Sequence, residues 1–561
     1  MVAWWRRRND WASAWLSLAV LLVGIVAVVS AVFPKSRTRL QMVAEVLPLD
    51  ERAAANAVTA AIGMILILLA GGLRRRKHRA WIFAVLLIAL TVVTHVAKGL
   101  DVEEAALSGV VLLLLLTTRP AFSGEPDPRS IRQASAVFAV SAVSAVLIGI
   151  AWAELRPGVT ESTETPVERL RHLGSSIVHG PGNDVPGSYP YATEFFAALF
   201  GAVIVVTLVV LLRPAGPPTR MSDADDGALR ALLARHGHHD SLGYFALRQD
   251  KSAVFSTSGK AAVCYRLVGD VCLASGDPIG DPEAWGGAIE QWMALVRKYA
   301  WVPAVLAASE LGAEVYARNG MDALELGDEA IIDIDSFSLE GRSMRVVRQA
   351  VNRVRRAGYT VSIDRVADIK PDDIAAAVSA ADHWRESETE RGFSMALGRF
   401  GDVRDEDCLV VRAWDEAGAL RGVLQFVPWG TSGFSLDVMR RDRESPNGII
   451  ELMVADLVAY ARAVGVKGIS LNFAVFRAVF ERGERLGAGP VLRIWRSVLM
   501  GLSRFWQIES LYRANAKYRP RWEPRFLCFE RAVALPRIGI AALEAEAFFG
   551  RPRWWIRLIH R

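Results

Sequence analysis

Six apolar segments, separated by polar stretches, fill the first 213 residues. The segments are residues 12–33, 54–73, 80–97, 105–118, 134–153 and 193–212. A helix needs about 20 apolar residues to cross the hydrocarbon core of a bilayer. Backbone groups in lipid must be satisfied within the segment, which restricts such segments to helices. The sequence therefore predicts an N-terminal α-helical polytopic membrane domain of about six spans, over residues 1–213.

The charges between these segments orient them. Basic residues crowd 6–8, 74–79 and 119–132, whereas 98–104 and 154–191 also contain acids. By the positive-inside rule the N-terminus is cytoplasmic, and six spans return the chain to the cytoplasm at Arg213. We expect a multi-pass protein of the plasma membrane whose C-terminal half lies in the cytoplasm.

Composition supports this division, since 52% of residues are hydrophobic while 22% are charged. The net charge of +6 suits an anionic partner such as a lipid headgroup or RNA, although the positive-inside rule explains it equally well. The cysteines show no CxxC spacing and are expected to be reduced, buried thiols. They are Cys264, Cys272, Cys408 and Cys528. The cluster of His236, His238, His239 and Asp240 fits a solvated loop better than a metal site, so no metal is predicted.

The C-terminal half alternates strands and helices twice. A Pro- and Gly-containing linker over 214–226 precedes a first unit over 227–340, and a second unit covers 359–534. Strands are expected at 252–255, 261–267, 271–274, 302–307, 329–334, 409–414, 422–428, 433–438 and 468–472, and helices at 282–300, 313–319 and 449–464. Two similar α/β units follow from this pattern.

Charged residues concentrate where one strand of the second unit leads into a helix. The strand over 434–439 contains Asp437 and is followed by Arg440 and Arg441. Ser445 as N-cap and Pro446 at the first helical position predict that the next helix starts there. Glu451 would then lie near the positive end of the helix dipole.

Several separated motifs of this half occur in the order of a known family. They are Gly276-Asp277-Pro278-Ile279-Gly280, Gly341-Arg342-Ser343, Leu436-Asp437-Val438-Met439-Arg440-Arg441, Ser470-Leu471-Asn472-Phe473-Ala474 and the segment 517–526. Over 226–532 the chain resembles the cytosolic transferase domain of the aminoacyl-phosphatidylglycerol synthases, the lysyl-phosphatidylglycerol synthase or multiple peptide resistance factor family. It is most similar to the membrane lysyltransferase that some bacteria fuse to a lysyl-tRNA synthetase. The resemblance implies two tandem acetyltransferase-like (GNAT) units. No glycine-rich loop for acetyl-CoA is evident, and no cofactor is expected.

The reaction that the resemblance implies moves an aminoacyl group from tRNA to a lipid hydroxyl, which needs acids for the ammonium and the hydroxyl proton and cations for phosphates or the oxyanion. The candidate catalytic residues are Asp437, Glu451, Arg440 and Lys517. The candidate substrate-binding residues are Arg441, Ser470, Asn472, Arg519 and Arg525. Which of the two acids binds the ammonium and which takes the hydroxyl proton is left open. The alternative to these catalytic roles is an internal salt bridge for Asp437 and a surface position for Glu451.

A basic helix over 341–358 joins the two units. Met344, Val347, Val351 and Val354 form its apolar stripe, beside a basic stripe of Arg345, Arg348, Arg355 and Arg356. The basic stripe suits tRNA or lipid phosphates, the alternative being a solvated face. The absence of acids between Arg342 and Arg356 favours phosphate binding. Residues 535–561 mix Trp with Arg and predict a basic interfacial helix on the anionic leaflet.

We therefore expect transfer of a lysyl group from lysyl-tRNA to phosphatidylglycerol on the cytoplasmic face. Within the same class, alanine, arginine or ornithine and a diacylglycerol acceptor are alternatives. From other classes, the chain would be a tRNA- or lipid-binding membrane scaffold or a lipid transporter. The sequence contains no synthetase module, so a separate aminoacyl-tRNA synthetase is the expected partner.

Overall fold

The computed structural model describes residues 15–28, 49–74, 77–97, 102–119, 122, 134–144, 147–148, 201, 203–208, 210–211, 220–385, 392–475 and 514–547. The chain forms two compact units. One contains Met1–Gly216 and Arg297–Trp301, and the other contains Pro217–Val296 and Val302–Arg561. The finer domain boundaries expected from the sequence stay predictions.

The N-terminal unit is helical throughout its described residues, apart from short turns. Its helices include α1 (Leu49–Arg74), α2 (His78–Ala97) and α3 (Val102–Thr117), and residues 15–28 are helical as well. A Cβ atom on Gly24 would lie 2.8 Å from the carbonyl oxygen of Gly63, so small residues allow two helices to approach closely here. Within the described ranges, no helix combines the length and the hydropathy that a bilayer crossing requires. The six spans therefore stay a prediction.

The second unit is built on one 12-stranded sheet. Its strands are β1 (Ser252–Phe255), β2 (Ala261–Val268), β3 (Val271–Ser275), β4 (Ile279–Gly280), β5 (Val302–Ala308), β6 (Asp322–Asp333), β7 (Thr360–Arg365), β8 (Leu409–Trp414), β9 (Leu420–Trp429), β10 (Gly433–Arg441), β11 (Gly468–Val475) and β12 (Arg521–Phe529). The strand order is β1-β2-β3-β5-β12-β6-β11-β10-β9-β8-β7, with β4 on β2.

The two halves of this sheet exchange their last strands. Strand β12, from the second half, pairs antiparallel with β5 of the first half, and β6 of the first half pairs antiparallel with β11 of the second. β6 and β12 also pair with each other. Each half contains one parallel pair, β3–β5 and β10–β11. The predicted units are thus halves of a single hydrogen-bonded sheet.

Helices cover both faces of the sheet. They are α4 (Asp223–His236), α5 (Pro282–Lys298), α6 (Glu310–Arg318), α7 (Arg345–Arg356), α8 (Pro371–His383), α9 (Ile449–Ala463) and α10 (Leu535–Ala545). Helices α7 and α9 share one apolar core with β8 to β11, which we call the α9 face. Helices α4 and α8 share another core on the opposite side of β8 and β9, which we call the α8 face.

Most predicted elements of this unit are confirmed. The apolar stripe of the basic helix is buried, from Met344 at 4% exposed to Val354 at 0%. The helix expected over 449–464 is confirmed, but the predicted roles of Ser445 as N-cap and Pro446 as first helical residue are wrong. Helix α9 begins at Ile449 because Gly448, its N-cap, has a φ of 111°, a left-handed conformation that interrupts a helix. Glu451 nevertheless lies in the first turn.

Candidate functional site

The parallel strands β10 and β11 separate part of the way along their length. They pair from Gly433 and Gly468 only as far as Ser435 and Ser470. Beyond that point β10 contains a bulge between Leu436 and Val438, and the pairing of β11 with β6 becomes irregular after Ser470. We call the resulting gap the β10–β11 split. A break in backbone pairing inside a sheet gives a ligand access to groups that the sheet otherwise covers.

Asp437 lies within the bulge at this split. Its Oδ1 accepts the backbone N–H of Leu397 at 2.9 Å, and its Oδ2 accepts Nε2 of Gln425 at 2.6 Å. Gln425 is itself 1% exposed and accepts the N–H of Gly401 at 3.0 Å. Two donors aimed at one carboxyl group stabilise its ionised form. Asp437 is therefore held in a fixed orientation beside the split.

Asn472 lies on the other side of the split, with a φ of 66°. Its Nδ2 donates to the carbonyl oxygen of Leu436 at 2.5 Å and, more weakly, to that of Met395 at 3.4 Å. Its Oδ1 is buried and has no hydrogen-bond partner in the described part of the chain. A buried acceptor without a partner needs an explanation, and a bound donor is one.

Glu451 and Lys517 form an ion pair, with Nζ 2.8 Å from Oε1. The two side chains are 18% and 27% exposed, so the pair is accessible without being fully solvated. Tyr518, beside it, is buried, and burial together with the charge of Glu451 raises the pKa of its hydroxyl well above the ordinary value. That hydroxyl also has no partner among the described residues. The pair thus combines a charged acid with a cation at the start of α9.

The structure places the two candidate acids on different faces of the sheet. Leu424 and Phe426 belong to the core of the α9 face, so Gln425 between them points to the α8 face, where it meets Asp437. Tyr518 belongs to the core of the α9 face, and the Glu451–Lys517 pair lies next to it. The expected convergence of acids and bases at one point is therefore incomplete, and the split lies between the two groups.

A cleft of about 290 Å³ opens on the α8 face. It is lined by Val378, Ala381, Asp382, Arg385, Gly398, Arg399, Phe400, Val438 and Arg440. Its three arginines outnumber its one aspartate, Asp382, which lies 3.5 Å from Arg385 in an ion pair. Leu397, the neighbour of Gly398, donates to Asp437, so the cleft adjoins the split. Arg399 is held by Asp405 through bonds of 2.5 and 2.9 Å, whereas Arg440 donates to its neighbour's carbonyl oxygen at 2.9 Å.

Arg525 lies in the core, away from the split's surface. Its guanidinium contacts Glu329 at 2.8 Å and Asp240 at 2.8 Å, and it donates to the Ser241 hydroxyl at 2.6 Å. Its side chain is 3% exposed. The predicted donor Ser470 is also fully buried and donates to Glu329. These placements favour structural roles for both residues over the predicted contact with substrate.

The basic stripe of α7 divides into two groups. Arg348 donates to the carbonyl oxygens of Leu339 and Gly341, and Arg355 forms an ion pair with Asp456 of α9, an acid that the helix's own sequence does not reveal. Arg345 and Arg356 are exposed.

The remaining predicted arginines contact residues of neighbouring loops. Arg519 donates to the Ser343 hydroxyl at 2.9 Å. Arg441 lies 3.3 Å from the carbonyl oxygen of Ser445. Both contacts tie loops near α7 and α9 to the sheet.

Sequence reasoning missed Gln425, because its role depends on the sheet face that it occupies, and it missed Arg385 and Arg399, because their place in the cleft depends on contacts between segments distant in sequence. The alternation of apolar residues on β9 is the one local signal for Gln425. Among the described residues, no group of three or more His, Cys, Asp or Glu side chains is placed to hold a metal ion. Asp240, from the histidine-rich cluster, is instead bound to Arg525.

Comparison with known proteins identifies relatives of both units. Residues 8–212 match a family described as the transmembrane region of lysyl-tRNA synthetase. A lysylphosphatidylglycerol biosynthesis bifunctional protein LysX from Rhodococcus jostii (strain RHA1) is 46% identical over 498 residues, covering 88% of this chain and 45% of the relative. Its counterpart from Mycobacterium sp. (strain JLS) is 42% identical over 571 residues, covering 97% and 51%. The chain thus spans about half the length of these relatives.

Among solved structures, L-PGS from Bacillus licheniformis is similar with a TM-score of 0.52 and 20% identity, over 60% of this chain and 99% of that one. This likeness concerns the fold alone. Residues 230–529, more than half of the chain, match the family described as phosphatidylglycerol lysyltransferase, C-terminal. The chain therefore belongs to the phosphatidylglycerol lysyltransferase family, as its motifs indicated.

Proposed function

We propose that the chain transfers a lysyl group from lysyl-tRNA to phosphatidylglycerol at the cytoplasmic face of the membrane. The observation that carries this proposal is the charged Asp437 at the β10–β11 split of a chain that belongs to this family. Its relatives are named for lysylphosphatidylglycerol biosynthesis, which supplies lysine and phosphatidylglycerol to the proposal.

The reaction exchanges one ester for another. A glycerol hydroxyl oxygen of the lipid attacks the ester carbonyl carbon of lysyl-tRNA, and its proton passes to a base. The tetrahedral intermediate then collapses, the bond to the ribose oxygen breaks, and that oxygen takes up a proton. Lysyl-phosphatidylglycerol and free tRNA are the products, and no cofactor is consumed. The protein must align the substrates and stabilise the charges that develop.

Asp437 and Asn472 bind the α-ammonium of the aminoacyl group in this proposal. The carboxylate supplies the counter-charge, and the unpartnered Oδ1 of Asn472 supplies a hydrogen-bond acceptor. Because Leu397 and Gln425 already donate to Asp437, its carboxylate is a better counter-charge than a base.

Glu451 then accepts the proton of the lipid hydroxyl, and Lys517 serves the oxyanion. In their ion pair the Glu451 carboxylate is the proton acceptor on this side of the split, and the Lys517 ammonium lies next to the developing negative charge. Asp437 and Glu451 lie on opposite faces, so the reacting ester would occupy the split between them.

The two faces suit two large anionic substrates. The exposed arginines of α7 lie on the α9 face, where they would contact tRNA phosphates. The cleft between Arg385 and Arg440 lies beside Asp437 and would hold the lipid phosphate. Substrates that approach from opposite faces would meet only at the split, so most of the tRNA phosphates would stay away from the lipid phosphate.

The membrane anchorage belongs to the same proposal. The match of residues 8–212 to a transmembrane family supports a membrane region there, and the loop charges support six spans with the transferase in the cytoplasm. The neighbour order β2-β3-β5 in the first half of the sheet is repeated as β9-β10-β11 in the second half. This repetition supports two tandem GNAT-like units. A lysyl-tRNA synthetase must supply the donor, and a separate synthetase is the partner we propose.

The test supplies membranes containing the protein with phosphatidylglycerol, total tRNA, synthetases and each radiolabelled amino acid in turn. We expect a lysine-labelled lipid that disappears with RNase and with Asp437→Asn. Asp335→Asn, at an exposed ion pair with Lys467, is the matched control and should keep full activity. If another amino acid labels the lipid instead, that amino acid replaces lysine as the proposed substrate. No labelled lipid from correctly charged tRNA would overturn the transferase proposal in favour of binding or transport.

A further inference from the structure

The segment 392–397 connects Asp437 to the far end of the second unit. Leu397 donates its backbone N–H to Asp437, and Met395 accepts a weak bond from Asn472. Both proposed ammonium ligands, Asp437 and Asn472, are therefore hydrogen-bonded to this segment. Its Phe393 and Ser394 are 0% and 1% exposed. Whatever fixes the segment fixes one of the two donors, the Leu397 N–H, that orient the Asp437 carboxylate together with Gln425.

Glu546, just beyond α10, holds this segment with three hydrogen bonds. Its Oε2 accepts the N–H of Phe393 at 2.6 Å. Its Oε1 accepts the N–H of Ser394 at 3.2 Å and the Ser394 hydroxyl at 2.7 Å. Bonds from neutral donors to a carboxylate are stronger than those between neutral groups. One side chain thus satisfies two consecutive backbone donors, 152 residues or more away along the chain.

Two cations of the first half hold the same segment from another side. Arg248 donates to the carbonyl oxygens of Gly392 and Ala396. The ammonium of Lys251 lies 4.6 Å from the centre of the Phe393 ring. Lys251 is fully buried, and it also donates to Ser275 at 2.6 Å. The segment is therefore clamped by hydrogen bonds to Glu546 and Arg248 and by the contact of Phe393 with Lys251.

We propose that Glu546 is a positioning residue of the transferase: it fixes the segment 392–397 and, through the Leu397 N–H, sets the orientation of the Asp437 carboxylate. The proposal rests on the proposed function, because the orientation of Asp437 matters only if it binds substrate. Loss of the carboxylate would free the segment, and Asp437 would lose a donor.

Glu546→Gln tests this, because the amide keeps the shape but replaces one acceptor with an NH₂ group that faces a backbone N–H. We expect faster hydrogen–deuterium exchange in the 392–397 segment of the full-length protein in detergent. In the transfer assay we expect kcat to fall about 10-fold with KM for lysyl-tRNA within twofold, since a misplaced group slows the chemical step. Ser394→Ala, which removes the hydroxyl bond alone, should show a smaller effect in the same direction.

Glu314→Gln is the matched control, since Glu314 is 58% exposed on α6 and pairs only with Arg318 in the ion pairs of the described chain. It should change neither exchange nor kcat. Unchanged exchange in Glu546→Gln would overturn the clamp. Faster exchange with unchanged kcat would overturn the positioning role. If wild type transfers no lysine, the proposed function fails, while the exchange measurement still decides whether the clamp exists.

Discussion

Lys517 and Glu451 form an ion pair across 66 residues of sequence, with Nζ 2.8 Å from Oε1. The pair joins the segment before β12 to the first turn of α9. Its partial burial makes each charge depend on the other, because a buried charge without a partner is costly. The same arrangement would serve as a static tie between two elements or as the acid and cation of catalysis, and these roles can be separated.

Exchanging the two charged residues distinguishes the structural role from the catalytic role. Glu451→Lys together with Lys517→Glu restores an ion pair, so we expect a melting temperature close to that of wild type. Lysyl transfer should stay reduced about 100-fold, because the carboxylate is then attached at position 517, before β12, and no longer projects from α9 toward the lipid hydroxyl. Glu451→Gln alone should lose activity similarly. Recovery of transfer in the exchanged variant would show that the pair is only a structural tie.

Arg525 is predicted to stabilise the fold. Arg525→Met leaves Glu329, which is fully buried, and Asp240 without their shared guanidinium. Removing one partner from a buried pair costs about 3–5 kcal/mol. We expect that loss in the free energy of unfolding, followed by tryptophan fluorescence in denaturant.

Arg521→Met is the matched control for Arg525, because Arg521 lies on the same strand, is 57% exposed and pairs with Glu523. An exposed pair contributes about 1 kcal/mol or less. If Arg525→Met were as stable as this control yet inactive, Arg525 would act on substrate after all.

Lys251 is predicted to make stability depend on pH. Burial, helped by the nearby charge of Arg248, lowers the pKa of its ammonium from 10.5 to about 7 in the folded protein. Between these values the unfolded chain binds more protons than the folded one. Stability from this group therefore rises with pH from about 7 to about 10.5, by up to about 1.4 kcal/mol per pH unit.

Lys251→Met removes that titration while keeping a similar volume. We expect the difference in unfolding free energy between wild type and variant to shift in favour of wild type as the pH rises through this range. Urea unfolding at several pH values measures it. A difference that stays constant with pH would mean that Lys251 remains charged in the folded state.

The exposed arginines of α7 are predicted to contact tRNA phosphates. Arg345→Gln or Arg356→Gln should weaken tRNA binding and reduce the slope of log K against log salt by about one each. Filter binding with full-length protein at several salt concentrations measures the slope. Arg318→Gln, 73% exposed on α6, is the control and should leave it unchanged. Equal slopes in all three variants would make the basic stripe a solvated face.

Local pattern predicted the strands of each half and the buried stripe of α7, because alternation and helical spacing are properties of neighbouring residues. It did not predict that β6 and β12 exchange places, since pairing between strands about 200 residues apart leaves no local period. The burial of Arg525 follows from that exchange. Ser445 and Pro446 imitate a helix start, but the left-handed Gly448 is the N-cap of α9, so the capping residues were predicted wrongly although the helix range was not.

The candidate site was predicted in residue type more than in arrangement. Motifs pointed to Asp437, Asn472, Glu451 and Lys517. Asp437 faces the α8 side by ordinary alternation with Leu436, whereas Glu451 lies on α9, so their placement on opposite faces depends on which face α9 covers. Gln425 was missed because the partner of a single polar residue in a buried strand cannot be inferred until the sheet face that it occupies is known.

Arg440 provides the test of the cleft. The sequence left it as a cation for phosphate or for the oxyanion, and the structure places it in the lining of the cleft on the α8 face. Hydrogen bonds to charged groups are worth about 1.5–3 kcal/mol, so Arg440→Gln should raise KM for phosphatidylglycerol about 10-fold or more. KM for lysyl-tRNA and kcat should stay within twofold. Arg443→Gln, at an exposed position in the following turn, is the control. A fall in kcat with unchanged KM for the lipid would instead assign Arg440 to the oxyanion, and the phosphate would then have to bind elsewhere.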